Sequence, residues 1–412
     1  MAKRNHQSDV LIAGGGLNGP ALALALAQGG LSVTVVDQRP APERAEAGFD
    51  GRAYALSIAS KRLLSAIGVW EEVAAKSQPI HRIRASDGRP GEGPAPFFLN
   101  FDADEIEEGP MGFMLEDRFL YAAFLEAMRQ TPGISLISGE TVSGQAPQAA
   151  GIGITLGSGE ALEARLLVGC DGRGSGVAAR AGIRRLGAGY GQTALVTAVK
   201  HGIHHEGCAQ QFFMPGGPLA ILPLAGGYHS SIVWSEESAL AAQIAALNDE
   251  DFLTALKPRF GEFLGEISLA GTRFTYPLSL SLAEQFVADR IALVGDAAHG
   301  VHPVAGQGLN LGLRDVAALA EVLIMAQRRG EDIGGGVALE EYQRWRRFDS
   351  TLLALGMDGV TRLFSNDNPL LRLGRDLGLG VVNTLPGLRR RFIRQAAGLS
   401  GELPRLLTGR AI

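Results

Sequence analysis

Gly14-x-Gly16-x-x-Gly19 is a spacing that lets a chain grip a pyrophosphate with its backbone. Gly14 permits a tight turn, Gly16 lets the main chain approach the anion, and Gly19 lets the next helix pack close to the preceding strand. Leu17 and Asn18 lead into that helix, whose free N–H groups would point at the phosphates. Asp37 follows Gly19 by 18 residues, the usual distance for an acid that accepts hydrogen bonds from a ribose. Alone, this fingerprint also fits a glycine-rich turn in any α/β protein. About 280 residues further on, Gly295-Asp296 is followed by His302-Pro303-x-x-Gly306-Gln307-Gly308-x-Asn310. Two distant segments that suit one dinucleotide, FAD, are hard to explain as packing.

Between them lies a third acid. The run 166–170 is a hydrophobic strand ending in Cys170, and Asp171-Gly172 turns it, placing a carboxylate at the strand's C-terminal end, where α/β proteins bind ligands. Residues 291–294 repeat the device and deliver Asp296, suited to the ribityl or pyrophosphate side of FAD. The loop 303–308 then feeds a helix whose first turn, with Leu309 and Asn310, can offer N–H groups to the pyrimidine edge of a reduced flavin. Gly306 and Gly308 permit that approach without a Cβ clash. His299 and His302, and His204-His205 near Cys208, have no carboxylate or second cysteine at metal spacing, so no metal is expected and packing or loop roles are. Neither a Ser-His-Asp ordering nor a Gly-x-Ser-x-Gly elbow is present.

These turns need a scaffold. Residues 10–13, 20–28 and 32–36 read as strand, helix and strand, a buried βαβ start whose parallel strands are apolar on both faces. The same uncharged stretch, preceded by Lys3 and Arg4, superficially resembles a signal peptide or anchor, but Gly14, Gly15, Gly16 and Gly19 interrupt it and no small-residue cleavage site stands out. A Pro/Ala/Gly-rich loop at 39–51 precedes an expected helix at 53–67, and 115–129 reads as an amphipathic helix. Strands are expected at 80–85, 134–137, 152–156, 161–168 and 290–294, and a long helix at 308–327. Residues 192–200, 209–213, 219–223 and 229–234 suit a mostly antiparallel sheet with hairpin glycines at Gly216-Gly217 and Gly226-Gly227. The expected fold is α/β (α+β overall). A discontinuous Rossmann-like FAD-binding domain takes 1–78, 111–180 and 276–338. A mostly antiparallel substrate domain takes 79–110 and 181–275, and a helical region 339–412 ends in basic Arg389, Arg390, Arg391 and Arg394.

Composition agrees with an enzyme of this kind. The 412 residues suffice for two or three domains, and 46% hydrophobic with 20% charged residues is globular rather than disordered. A net charge of −5 argues against a nucleic-acid partner. Cys170 and Cys208 fit a reduced cytoplasmic compartment, with no disulfide framework.

The chain resembles the group A flavoprotein aromatic hydroxylases of the p-hydroxybenzoate hydroxylase fold, and within them the ubiquinone-biosynthesis hydroxylases. The likeness runs over nearly the whole chain. It includes GGGLNGPALALALAQ, DGRAYALS (50–57), LEDRFLYAAFLEA (115–127), GCDGRGSGVA (169–178), QQFFMPGGPLAILPL (210–224), GDAAHGVHPVAGQGLNLGLRD (295–315) and the tail 358–375. The resemblance implies noncovalent FAD, NAD(P)H as electron donor without a domain of its own, and oxygen transfer from a flavin C4a-hydroperoxide to the ring of a polyprenylated phenol. It implies Arg52 and Arg118 as FAD contacts, with Gln38, Arg39, Ala53 and Val142 in the same set, and an Asp171-Gly172 motif serving both FAD and the nicotinamide. The loop 303–310 would cradle the isoalloxazine beside the oxygenation site, where water must be excluded. An apolar substrate would come from a membrane or carrier protein, peripherally at the inner membrane; the basic C-terminal helices are either that contact surface or a solvated helical face.

Two positions depart from the family pattern: Asp37 stands where a glutamate is usual, and Tyr54 where a small aliphatic residue is typical. No catalytic base for the phenol is identifiable. Alternatives are a same-fold monooxygenase acting on another aromatic, a flavin reductase acting on prenyl double bonds, and an FAD-containing scaffold of a biosynthetic complex. A flavin halogenase would carry a Trp-x-Trp-x-x-Ile element, and here Trp70, Trp234 and Trp345 stand apart.

Overall fold

A computed structural model of the protein describes residues 7–40, 48–91, 93–301, 306–364 and 385–412. His302, Pro303, part of the 39–51 loop and most of the tail 358–375 therefore lie outside the described residues. The first sheet runs in the order Val287–Ala288, Ile291–Leu293, Ala161–Gly169, Gln7–Ala13, Val33–Asp37, Ile134–Ser138. Gln7–Ala13 pairs in parallel with both Ala161–Gly169 and Val33–Asp37, so three strand ends converge where the glycine turn begins. Val10, Leu11, Ile12, Val33 and Val35 are buried; each such side chain contributes about 1.5–3 kcal/mol relative to exposure. The helix Asn18–Gln28 is buried from Gly19 to Leu26. Its end meets the long helix Gln307–Arg328 so closely that a Cβ on Gly29 would fall 2.4 Å from Ile324.

The second sheet has nine strands. Its main path is His299–Gly300, Phe274–Ala283, Arg185–His201, His229–Glu237, Leu219–Pro223, Cys208–Phe213, Arg82–Arg89, Gly93–Asp102. It is antiparallel except where Cys208–Phe213 lies parallel to Arg82–Arg89. Period-two alternation divides its residues between two faces. One face carries Leu195, Phe212, Ile221, Ile232 and Trp234 into a core with Phe252, Leu256 and Phe260. The other carries Ala194, Val196, Ala220 and Val233 toward the first sheet.

Three sequence expectations change. Residues 53–57 form the strand Ala53–Ser57, paired with Gly112–Glu116, and the helix begins only at Ile58. The Ser57 side chain accepts from Ser60 N–H and caps that helix, a local stop signal within the apparent helical run. Phe274–Ala283 pairs with Arg185–His201, so the second sheet extends past the expected boundary at 276, while the strand expected at 290–294 does return the chain to the parallel sheet, at Ile291–Leu293. Helices Ser238–Ala245 and Asp249–Phe260, not anticipated, cover the large-residue face of the second sheet.

Candidate cofactor and active site

A cavity of about 890 Å³ runs between the two sheets. On the first-sheet side it is lined by Gly14, Gly16, Leu17, Asn18, Asp37, Gln38, Arg39, Arg52, Ala53, Val142, Asp171, Gly172, Asp296, Gly306, Gly308 and Leu309. Segments 14–18, 171–172, 296 and 306–309 thus meet in one space. At the turn, Gly14 has φ +109°, and a Cβ there would lie 2.3 Å from the Cys170 carbonyl oxygen. A Cβ on Gly16, by contrast, would meet no protein atom within 4 Å: this glycine faces open cavity. The helix begins at Asn18, so its positive end is aimed at that space.

Asp37 is buried, and its carboxylate is already engaged by the chain. Oδ2 accepts from Gly15 N–H at 2.5 Å and Oδ1 from Arg39 N–H at 2.7 Å. Each oxygen keeps a second lone pair for a ribose hydroxyl. Asp171 Oδ2 accepts from Val177 N–H at 3.0 Å, while Oδ1 is buried without a partner among the described residues. An orphaned buried acceptor beside the cavity is what a polyhydroxylated ligand satisfies. The donors, the glycine turn and this acceptor fit FAD. Burial pushes the neighbouring Cys170 thiol well up, so it stays protonated and is no nucleophile.

Arg52 lies between Asp50 (2.7 Å) and Asp117 (3.6 Å), with its guanidinium 5.6 Å from the Phe274 ring. Tyr54 lines the cavity, and its hydroxyl donates to Asp117 Oδ1 at 3.0 Å. This departure from the family pattern is tied to the Arg52 pairing. Asp296 is half-exposed and lies 3.6 Å from Arg173.

Several sequence-selected residues lie outside the cavity wall. Gly19 serves packing: a Cβ there would fall 2.0 Å from Gly14 O. Arg118 pairs with Glu116 at 2.7 Å, its guanidinium 5.4 Å from the Phe49 ring and 4.5 Å from that of Phe119. Gln307 opens the long helix after Gly306, whose φ of +62° is left-handed. Asn310 ties that helix to the strand Ala53–Ser57. Its Oδ1 accepts from Ser57 N–H and Ser60 Oγ, and its Nδ2 donates to the Ala55 carbonyl.

Gly295 leads to residues whose role the sequence did not disclose. Its N–H donates to Asp315 Oδ2 at 3.0 Å, and a Cβ on it would strike the Asn18 side chain. Arg185 donates to the Asp296 and Ala297 carbonyls from the second sheet, holding the same turn from the other side. Only Asp315 had a local cue, its place in the motif ending Leu313-Arg314-Asp315. Among the described residues no group of three metal-ligating side chains comes together, and no helix is long and apolar enough to cross a membrane.

A nucleotide-gripping parallel sheet faces an apolar second sheet across one cavity, the architecture of an FAD-binding enzyme of the p-hydroxybenzoate hydroxylase fold. The family described as "FAD binding domain" matches residues 7–348. Among solved structures, p-nitrophenol 4-monooxygenase from Pseudomonas putida superposes with a TM-score of 0.80 at 18% identity, over 96% of this chain and 98% of that one. Aklavinone-11 hydroxylase, solved with FAD and aklavinone, superposes with a TM-score of 0.71 at 21% identity, over 87% and 70%. Ubiquinone hydroxylase UbiL of Rhodospirillum rubrum is 46% identical, covering 98% of this chain and 93% of that protein. The 3-demethoxyubiquinol 3-hydroxylase of Escherichia coli is 35% identical, covering 96% and 100%. The chain belongs to the FAD-binding-domain family and, within it, to the ubiquinone-biosynthesis hydroxylases.

Proposed function

We propose that this protein hydroxylates the aromatic ring of a polyprenylated phenol in ubiquinone biosynthesis, using NAD(P)H and O₂. The observation that carries this is one cavity with a pyrophosphate-gripping turn on one side and a wall of Ala194, Val196, Ala220, Leu222 and Val233 on the other. Bound FAD, reduced by NAD(P)H, supplies the oxygen activation. The chain supplies position and dryness. The N–H groups after Gly14 hold the pyrophosphate, Asp37 with Gln38 and Arg39 holds the adenosine ribose beside Val142, and Asp171 and Asp296 accept from hydroxyls of the linker. Gly306, Gly308 and Leu309, with Arg52 and Ala53, would hold the flavin ring, with Pro303 proposed to act with them from the same motif. The apolar wall keeps water from the oxygen-transfer site.

The helix Pro386–Ala396 supports a peripheral membrane contact through which an apolar substrate would arrive. Its Ile393 is buried, Arg389 and Arg394 pair with Glu105 and Glu108, and Arg390, Arg391 and half-exposed Phe392 face outward. The direct test of function is O₂ and NAD(P)H consumption by the purified holoprotein with and without a prenylated phenol, following product by mass. Substrate-stimulated consumption and a product one oxygen atom heavier are expected. A flavin-loaded protein that consumes neither would sink the hydroxylase reading.

A further inference from the structure

The cavity-facing side of the second sheet carries Tyr276 beside Ala194 and, on a separate aliphatic row, one further hydrogen-bonding side chain, Gln211. Gln211 stands opposite Ala220, Ala220 opposite Val233, and Val233 opposite Val196, one row across four strands. Three inter-strand steps of about 4.8 Å make this row about 14 Å long. Its members all line the cavity, and all but Gln211 are small and apolar. The alternation fixes the orientation: Phe212 is buried on the opposite face among Trp234 and Phe252, so Gln211 faces inward. Its neighbour Gln210 is occupied, donating to Cys208 Sγ, whereas the Gln211 amide has no partner among the described residues. An amide that brings both a donor and an acceptor to an aliphatic wall would be costly to leave dry and unpaired.

We propose that Gln211 is a specificity-determining residue that hydrogen-bonds an oxygen substituent of the substrate ring, while the Ala220–Val233–Val196 row takes up apolar substrate surface. The row supplies one neutral hydrogen-bonding group and no charge, so it selects an uncharged phenol over a hydrocarbon of the same shape. A site built to bond a substrate hydroxyl rejects the analogue without it, because its own polar group is then left unpaired. The assignment rests on the proposed substrate class.

The test compares 2-geranylphenol with geranylbenzene, which has the same tail and no hydroxyl, by the change each causes in the absorbance of bound FAD in the holoprotein. The wild type should bind the phenol about five- to tenfold more tightly, the size of one hydrogen bond. Gln211→Met, similar in volume, should bind both alike, with unchanged FAD content and melting temperature. If the variant keeps the preference, or weakens equally for both ligands, Gln211 is only part of the wall and the proposal fails while the hydroxylase reading stands. A wild type that binds the phenol without discriminating overturns it equally. Binding of neither ligand by the wild type removes this proposal and the prenylated-phenol reading together.

Discussion

His299 Nε2 lies 2.6 Å from Asp315 Oδ2, and both side chains are buried. The other Asp315 oxygen accepts from Arg346 Nε at 2.8 Å, and Oδ2 also accepts from Gly295 N–H. Burial alone would raise the Asp315 carboxyl. His299, Arg346 and the Gly295 N–H outweigh it and hold the group below the ordinary aspartate range. One carboxylate thus joins the long helix, the turn carrying Asp296 and the helix Gly336–Phe364.

Asp315→Ala should therefore destabilise the protein by about 3–5 kcal/mol, because the buried His299 loses its carboxylate and the buried Arg346 keeps only Ser350 and the partly exposed Asp349. Chemical denaturation of the apoprotein measures this. Asp315→Asn keeps the volume and one acceptor, so a smaller loss of stability with weakened FAD retention is expected. FAD affinity equal to wild type in a folded Asp315→Ala protein would show that the Gly295 N–H contact does not set the turn.

The glycine fingerprint separates fold from ligand at two of its positions. Gly14→Ala forces a Cβ onto Cys170 O at positive φ, so it should lower the melting temperature even without FAD. Gly16→Ala meets nothing in the protein, so the apoprotein should melt as wild type. Its methyl enters the space for the pyrophosphate, and FAD affinity measured by flavin fluorescence should fall roughly tenfold or more.

This contrast bears on what the sequence makes legible. Strand, turn and acid around Gly14–Asp37 lie within one local run, so spacing alone reveals them. The strand Leu219–Pro223 matched its expected limits because alternating residues and flanking glycines are also local signals. The apolar pattern of 53–57 suits a helix, but its state is decided by pairing with Gly112–Glu116, more than 50 residues away. Arg185 reaches the Asp296 turn, and Arg346 the Asp315 carboxylate that holds it, from distant elements, and neither leaves a mark near it. Gln211 lies in the motif at 210–224, but only the cross-strand register shows it alone on an aliphatic row.

Asp296 is half-exposed on the cavity, with Arg173 as its ion-pair partner at 3.6 Å. Asp296→Ala should leave the denaturation midpoint nearly unchanged, since an exposed pair of this kind contributes little. Flavin retention should nevertheless fall about ten- to hundredfold, the loss expected for a charged acceptor. Normal FAD content in the purified variant would overturn the assignment of Asp296 to the cofactor.

His201 and His205 give the second sheet a pH dependence. Burial lowers both imidazoles below the ordinary histidine value, more than the carbonyls of Ile203 and Leu224 can offset; nearby His204 and His229 add to the lowering. His205 Nε2 donates to the Leu224 carbonyl and Nδ1 accepts from Gly207 N–H, so a second proton would set two donors against each other. The unfolded chain takes up protons first as pH falls through about 6.5. The stability is fully present above that pH and is lost below it, toward the depressed folded values. Denaturation midpoints should therefore drop between about pH 7.5 and about pH 5.5. His205→Gln, which can still donate and accept, should flatten that drop. An unchanged slope in the variant would place the pH dependence elsewhere.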